Sequence, residues 1–250
     1  MNTRTVISFL CAVFLAGWCG TTLFAQDGHL DAGFGFQMGF PSGEFKDALD
    51  RNGYGIGAHV GYAFPDNVPV MLGLNFAYMT YGSERRQEPF SSTVPEVKVQ
   101  VERDYNIVQG HFLLRLGPNT GMIRPYLDGL LGFNYLYTNT SVENIGNANE
   151  EIASSVNLDD FTFSLGGGGG FMVRVYDGHD ERAEQLKAGK QADGILEALI
   201  HLDVHYLAGT EAEYLKPGSV KIDDKRQVSY DIIKSRTDMI TGRIGVTLIF

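Results

Sequence analysis

The chain reads as all-β: a transmembrane antiparallel up-and-down β-barrel of about eight strands. Three observations carry that expectation. From Gly28 onward, apolar residues alternate with small or polar ones at a period of two, through one segment after another. Beyond the opening segment, no apolar run approaches the roughly 20 residues that a membrane helix needs. Long and short connections take turns between the alternating segments, a property that played no part in finding them.

The opening segment has a different character. Met1 to Thr5 carries one positive charge, Arg4, and an apolar stretch from Val6 to Ala16, broken only by Ser8, follows. That is the order of a secretory signal, and Leu23-Phe24-Ala25 before Gln26 offers a cleavage site. Residues 1–25 are therefore expected to be a cleaved signal peptide, and residues 26–250 the barrel. A membrane anchor is the alternative, and the run is too short for one. Both cysteines, Cys11 and Cys19, fall in this leader, so the mature chain would have no disulfide and no Cys-ligated metal. The bulky Trp18 before Cys19 disfavours lipidation there.

Each strand follows from its alternation. Strand one sets Leu30, Phe34, Phe36 and Phe40 on one face and Asp31, Gly33, Gly35 and Gln37 on the other. An apolar face toward lipid and a small or polar face toward a narrow lumen is what a membrane barrel requires. Strand two points Tyr54, Ile56, Ala58, Val60, Tyr62 and Phe64 outward and His59 inward, and ends at the turn Pro65-Asp66-Asn67. Strand three points Val70, Leu72, Leu74, Phe76 and Tyr78 outward. Across the turn, Phe64 should face Val70 and His59 should face Asn75, because outward must meet outward.

Strand four runs from about Ile107 to Leu116, with Phe112 and Leu114 outward and Gln109, His111 and Arg115 inward. The turn Pro118-Asn119-Thr120-Gly121 ends it. Strand five, Pro125 to about Thr138, sets Leu127, Leu131 and Phe133 against Asp128, Gly132 and Asn134. Strand six spans Phe161 to Val175. Strand seven, Ile195 to Leu207, points Ile200, Leu202 and Val204 outward and Glu197, His201, Asp203 and His205 inward. Strand eight points Ile240, Ile244, Val246, Leu248 and Phe250 outward and Thr241, Arg243, Gly245 and Thr247 inward, and it should close against strand one.

The long connections, about Ser42 to Gly53, Gly82 to Asn106, Asn139 to Asp160 and Gly209 to Thr237, should then be extracellular loops. The short turns should be periplasmic. Tyr176 to Gly194 breaks this rule: it is long and polar where a short turn belongs, and Asp180 to Gln191 has the composition of a solvated helix. A tolerated insertion is the simpler reading.

Three stretches carry a resemblance. Arg124-Pro125-Tyr126-Leu127-Asp128-Gly129-Leu130-Leu131-Gly132, Phe40-Pro41-Ser42-Gly43-Glu44-Phe45 and the final Gly242 to Phe250 resemble segments of the small outer-membrane barrel family that includes outer-membrane proteins A, X and W. The resemblance implies a bacterial outer-membrane location and Phe250 as the assembly signal read by the barrel-insertion machinery. It implies no shared catalytic residue and, without a soluble domain after the last strand, no peptidoglycan binding.

The chemistry-bearing residues point inward. His201, Asp203 and His205 alternate on one lumen face, and with His59 and His111 a metal or acid–base site is conceivable. A narrow closed barrel, however, must fill its interior with side chains that satisfy one another. His59, Asn75, His111, Arg115, Asp128, His201, Asp203, His205 and Arg243 are thus read as a lumen polar network, with no catalytic residue, cofactor or metal assigned. Arg115 and Asp128, on paired strands near one short turn, should neutralise each other and block that end. Wild type should show no sustained conductance, and Arg115→Ala with Asp128→Ala should open it in part. Gly166 to Gly170 lacks the Lys-Ser/Thr of a nucleotide loop and relieves crowding instead. The acidic loop of Glu143, Glu150, Glu151, Asp159 and Asp160 fits no calcium template.

With 20 basic against 30 acidic residues, nucleic acid is excluded as a partner. Outer-membrane lipids, lipopolysaccharide and the barrel-assembly machinery are the expected partners, and no external ligand is specified. The reading is a non-enzymatic barrel with a structural or surface-interaction role and a plugged lumen. The alternative is a narrow channel for small or apolar solutes. A lipid-modifying enzyme is disfavoured because strand seven places no serine inward beside His201 or His205.

Overall fold

The computed structural model describes residues 28–49, 51–65, 68–89, 98–144, 147–187, 189, 194–215, 221–222, 228–229 and 232–250. The expected signal peptide, both cysteines and the turn residues Asp66 and Asn67 lie outside them.

Eight strands close into a barrel. They are β1 (His29–Pro41), β2 (Gly53–Ala63), β3 (Val70–Pro89), β4 (Lys98–Leu116), β5 (Ile123–Asn144), β6 (Asn147–Asp177), β7 (Glu197–Gly209) and β12 (Met239–Ile249). Each pairs antiparallel with its neighbour in sequence around the wall, and β12 closes on β1 with Phe34 opposite Val246 and Gln37 opposite Arg243. Closure removes the edges that would otherwise leave backbone groups unpaired in lipid. The register is the one the outward-meets-outward rule demands: His59 faces Asn75, and the Phe64 amide donates to the Val70 carbonyl at 3.0 Å.

Outward alternation makes a continuous apolar belt. Every wall strand contributes to it: Phe36, Ile56, Leu72, Phe112, Leu131, Phe163, Ile200 and Ile244 are all exposed, Phe112 and Phe163 at 70%. In water this band would be far larger than any patch a soluble monomer tolerates. In a bilayer it is simply the face that meets the hydrocarbon. No described helix is long and apolar enough to cross a membrane.

Two expected loops are instead strand. β3 continues to Pro89 and β4 begins at Lys98, so most of the Gly82 to Asn106 connection is a hairpin; likewise β5 runs to Asn144 and β6 starts at Asn147. The period-two test needed an apolar outward face, and above the belt that face is polar. There Glu84 pairs opposite Arg103, and Arg85 opposite Glu102. The register shifts between Thr80 and Gly82 and between Thr138 and Asn139, so irregularities mark the place where both hairpins leave the belt.

The other two long connections are folded as well. Gly43, with φ of +56°, turns the chain from β1 into a short helix, α1 (Glu44–Leu49). Between β7 and β12 the chain forms β8 (Glu211–Leu215) paired with β11 (Ile232–Arg236), and β9 (Lys221–Ile222) paired with β10 (Val228–Ser229). At the opposite end, the short-turn end, the polar segment holds the helix α2 (His179–Lys187), which buries no residue. Strand seven begins at Glu197 rather than Ile195, although the Leu196 amide still donates to the Ile249 carbonyl at 2.7 Å.

Candidate functional site in the barrel lumen

The lumen is built from the inward residue of each strand pair. Toward the short-turn end, one residue before β4 ends, Arg115 stands directly opposite Asp128 of β5. The guanidinium forms two parallel bonds to the carboxylate, Nε to Oδ1 at 2.8 Å and Nη2 to Oδ2 at 2.9 Å, and stacks 3.8 Å from the Tyr126 ring centre. Both partners are buried. Asp128 Oδ2 also lies 3.0 Å from His205 Nε2, and His205 Nδ1 lies 3.4 Å from Asp203 Oδ1.

Asp203 carries the chain of contacts across the lumen. Its Oδ2 accepts from Arg243 Nε at 3.2 Å, from Nη2 at 3.1 Å and from the Tyr126 hydroxyl at 3.3 Å. Arg243 Nη1 then donates to Asn75 Oδ1 at 2.8 Å. Asn75, Arg115, Asp128, Asp203, His205 and Arg243 thus form one connected path. His111 stands apart, its Nε2 sharing a hydrogen bond with Ser164 at 3.2 Å. His201 Nδ1 shares one with Thr247 at 3.0 Å, and its ring meets that of His59 edge to face, 5.5 Å between centroids.

Glycines opposite these groups provide the width. A Cβ on Gly57 would come within 2.2 Å of Gln37 Oε1 and 3.1 Å of Arg243 Cδ. In the Gly166 to Gly170 run the inward members make room for Leu207, His205 and Tyr126. Tyr126 was not singled out as a lumen residue from the sequence, yet the signal was there: it sits two residues before Asp128 and so shares its face.

Toward the short-turn end lies a rim of ions. Arg124 Nη2 donates to Glu197 Oε2, and Arg174 Nη1 reaches Glu197 at 2.8 Å and Asp177 at 3.0 Å. Asp177, His179 and Glu197 bring oxygen and nitrogen atoms within 4.8 Å of one another, but Arg174 already holds the place between the two carboxylates. The hydrogen bonds of His179 to Asp177 hold that carboxyl below the usual carboxylate range.

The long-connection end is closed by apolar packing. Met79, Tyr81, Tyr105, Ile107, Leu136 and Met239 point inward from the wall, and Phe45 and Leu49 of α1 with Ala212, Tyr214 and Leu215 of β8 pack onto them. Phe45 meets Tyr214 edge to face at 5.4 Å. Ser42 to Gly53 and Gly209 to Thr237, expected only as loops at this end, thus also supply the plug. Their apolar residues are too few and too irregular to show a period.

Two hydroxyl–imidazole pairs, Ser164 with His111 and Thr247 with His201, have the spacing of a nucleophile and its base. The serine comes from β6, whereas the sequence expectation concerned strand seven alone. Neither pair is completed by a third orienting group: His111 Nδ1 and His201 Nε2 have no partner. Both pairs are buried in the filled lumen.

No protein-family model and no curated protein matches the chain. Among solved structures, Ail, the attachment invasion locus protein of Yersinia pestis, crystallised with the heparin analogue sucrose octasulfate, is 14% identical over 89% of this chain and 97% of that one, with a TM-score of 0.32. OprG, an outer membrane protein of Pseudomonas aeruginosa, is 16% identical over 90% and 97%, with a TM-score of 0.47. Neisserial surface protein A is 10% identical over 89% and 95%, with a TM-score of 0.35. At such values the likeness adds no weight beyond what the wall itself shows. With apolar side chains facing outward from all eight wall strands and the wall closed on itself, the chain is a closed eight-strand antiparallel β-barrel with the outer face of a membrane-spanning wall.

Proposed function

We propose that this barrel sits in a bacterial outer membrane and is a non-enzymatic structural or surface-interaction protein with a non-conducting lumen. One observation carries the reading: the interior is obstructed at two levels by unrelated chemistries. The bidentate Arg115–Asp128 pair and its extension to Asn75 run from near the short-turn end to the middle, and the Phe45–Tyr214 packing fills the opposite mouth. An ion would have to displace both.

In this reading residues 1–25 are removed on export and residues 26–250 insert, with the assembly machinery engaging the final strand through Phe250. The plugged mouth is extracellular and the ion rim periplasmic. The belt is solvated by lipid and lipopolysaccharide. External contacts fall to the sheet that β3 to β6 raise beyond the belt, where Arg85 and Glu102 are paired at 2.8 Å.

Single-channel recording in a planar bilayer tests the reading. The expected result is no sustained conductance from the unmodified barrel. A stable open channel would instead support a narrow pore for small or apolar solutes.

A further inference from the structure

At the short-turn end of the lumen, a donor and an acceptor are left over at one small space. Arg115 uses Nε and Nη2 on Asp128, and its Nη1 has no partner within the chain. Asp31 Oδ1 has no hydrogen-bond partner either, since His29 Nε2 comes only to 3.5 Å. Both residues are 5% exposed, and both line a cavity of about 20 Å³ whose walls also include Met71, Pro118 and Met172. That is room for one water-sized group. Buried polar atoms left unmet are costly, so a donor and an acceptor sharing one void call for an occupant.

We propose that this end of the barrel binds a neutral polyol or saccharide through one of its hydroxyls. Three features support this. The first is the match of donors to acceptors. A hydroxyl oxygen accepts from Arg115 Nη1, donates its single proton to Asp31 Oδ1 and leaves the cavity by its carbon. A water has a second proton to place, and among the described residues Asp31 Oδ1 is the one buried side-chain acceptor on that wall without a partner. A metal or ammonium ion is disfavoured by the guanidinia of Arg115 and Arg124 on the same wall, and an anion by the Asp31 carboxylate.

The second is the space beyond. His29 and Asn119 line both the inner cavity and an open basin of about 460 Å³, a size within the range of small-molecule clefts. The carbon frame behind the buried hydroxyl extends into that basin.

The third is charge. The ions of the basin are already matched to one another: Arg174 reaches Asp177 at 3.0 Å and Glu197 at 2.8 Å, Arg124 bonds the other oxygen of Glu197, and His179 lies 2.6 Å from Asp177. Such a wall asks for no net charge, and its exposed ions still offer hydrogen bonds to further hydroxyls. Leu196 and Ile249 give it an apolar strip for the carbon face of a ring. Arg115 thus has two roles: Nε and Nη2 close the lumen on Asp128, and Nη1 holds the ligand. The site is the same whichever compartment the short-turn end faces, and whether or not the lumen conducts.

The test is an NMR titration of the isotope-labelled barrel in dodecylphosphocholine micelles, where no detergent sugar competes, with glucose and separately with glycerol. Saturable shifts of the Gly117 amide, on the inner cavity, and the Leu196 amide, on the basin, are expected with glucose and identify a saccharide site. A saturable shift of Gly117 with glycerol alone supports the same site for a smaller polyol. Asp31→Leu removes the acceptor, and affinity should fall about ten-fold or more, as losing a hydrogen bond to a charged group does. Glu102→Gln, in the raised hairpin, should leave affinity unchanged. Should Asp31→Leu fail to fold, permethylated glucose with the unmodified chain gives a second readout: it keeps its acceptors but has no proton for Asp31, and must bind at least about ten-fold more weakly. No saturable shift with either probe, or affinity that survives Asp31→Leu or methylation of the sugar, overturns the proposal and leaves the cavity to water.

Discussion

The polar tier of the lumen and its plugged mouth are closed by different means. In the middle, the wall strands alone supply the filling: each inward side chain is fixed by its strand register, and charge meets charge across a few ångströms, as Arg243 does with Asp203 at 3.1 Å. At the mouth the wall supplies only half the filling. Phe45, Leu49 and Tyr214 are brought in by chain that leaves the wall and folds back over it. The first closure is rigid because an unpaired buried charge is costly. The second depends on apolar area contributed by connections, held by bonds such as the Ser42 amide to the Asp238 carbonyl at 2.9 Å and the Arg236 amide to Glu44 at 3.2 Å. A charged closure resists loosening one atom at a time; a hydrophobic cap lifts as a unit.

The largest effect should follow from splitting the charged closure. Arg115→Ala leaves Asp128 buried with only His205 beside it, and breaking a buried pair by removing one partner costs about 3–5 kcal/mol. Arg115→Ala with Asp128→Ala should recover much of that loss. Urea unfolding in micelles followed by heat-modifiable migration measures both, and equal losses in the single and double variants would contradict the pairing argument. The sequence alone suggested that the double variant would conduct in part. The apolar plug changes that expectation, because the mouth stays shut: conductance should appear only when Phe45→Ala is added.

Phe45→Ala by itself probes the second closure. Phe45 is fully buried, and truncating a core phenylalanine costs about 3 kcal/mol or more. Because the loss falls on the cap, it should appear as faster protease cleavage between β7 and β12 on intact cells, with the wall's unfolding midpoint nearly unchanged. A lowered wall midpoint with no change in cleavage would show that cap and wall unfold together.

The same contrast explains what the sequence revealed. The wall was legible because each belt strand carries its own evidence: an outward apolar series beside inward residues such as His59, Arg115 and Asp203. The register followed from the turn, so the Arg115–Asp128 juxtaposition could be read without coordinates. Beyond the belt the pattern vanished, although the strands did not, because Ser83 to Gln87 are polar and exposed or half-exposed on both faces, so no apolar side alternates. The plug was invisible for a different reason. Phe45 and Tyr214 are far apart in sequence, and nothing local to either says that they meet. Nor does sequence show which imidazole nitrogens are left over after pairing, since that depends on rotamers chosen by Thr247, Asp128 and Ser164.

A smaller effect on stability is expected at the seam where both closures are anchored. The Phe250 amide donates to the Leu30 carbonyl at 3.0 Å, one backbone bond beyond the paired residues of β12. Deleting Phe250 should cost only about 1 kcal/mol in refolded protein, the worth of a typical hydrogen bond. In cells it should cost much more, since the residue is proposed as the assembly signal. A truncated protein recovered at normal levels in the outer membrane, with normal heat-modifiable migration, would separate the seam from assembly.

The smallest expected effect lies at the short-turn rim, which resembles neither closure because its side chains are exposed. Asp177 caps α2: its Oδ1 accepts from the His179 amide at 3.2 Å and lies 2.6 Å from His179 Nδ1. These bonds, the side-chain one foremost, stabilise the ionised carboxylate and place its pKa below the ordinary 3.8. A carboxyl depressed in the folded state contributes stability that is fully present above its unfolded pKa. That contribution disappears as pH falls through the lower, folded value. The cap should therefore hold unchanged from neutrality through mild acid and release only below the ordinary carboxylate range. The His179 amide resonance, followed by NMR in micelles, should move with a midpoint under 3.8, and Asp177→Asn should abolish the transition while leaving α2 largely formed. A midpoint at or above 3.8 would mean that the cap is not made in solution. Because α2 buries no residue, its release should leave the wall resonances where they are, which distinguishes loss of a rim contact from loss of the barrel.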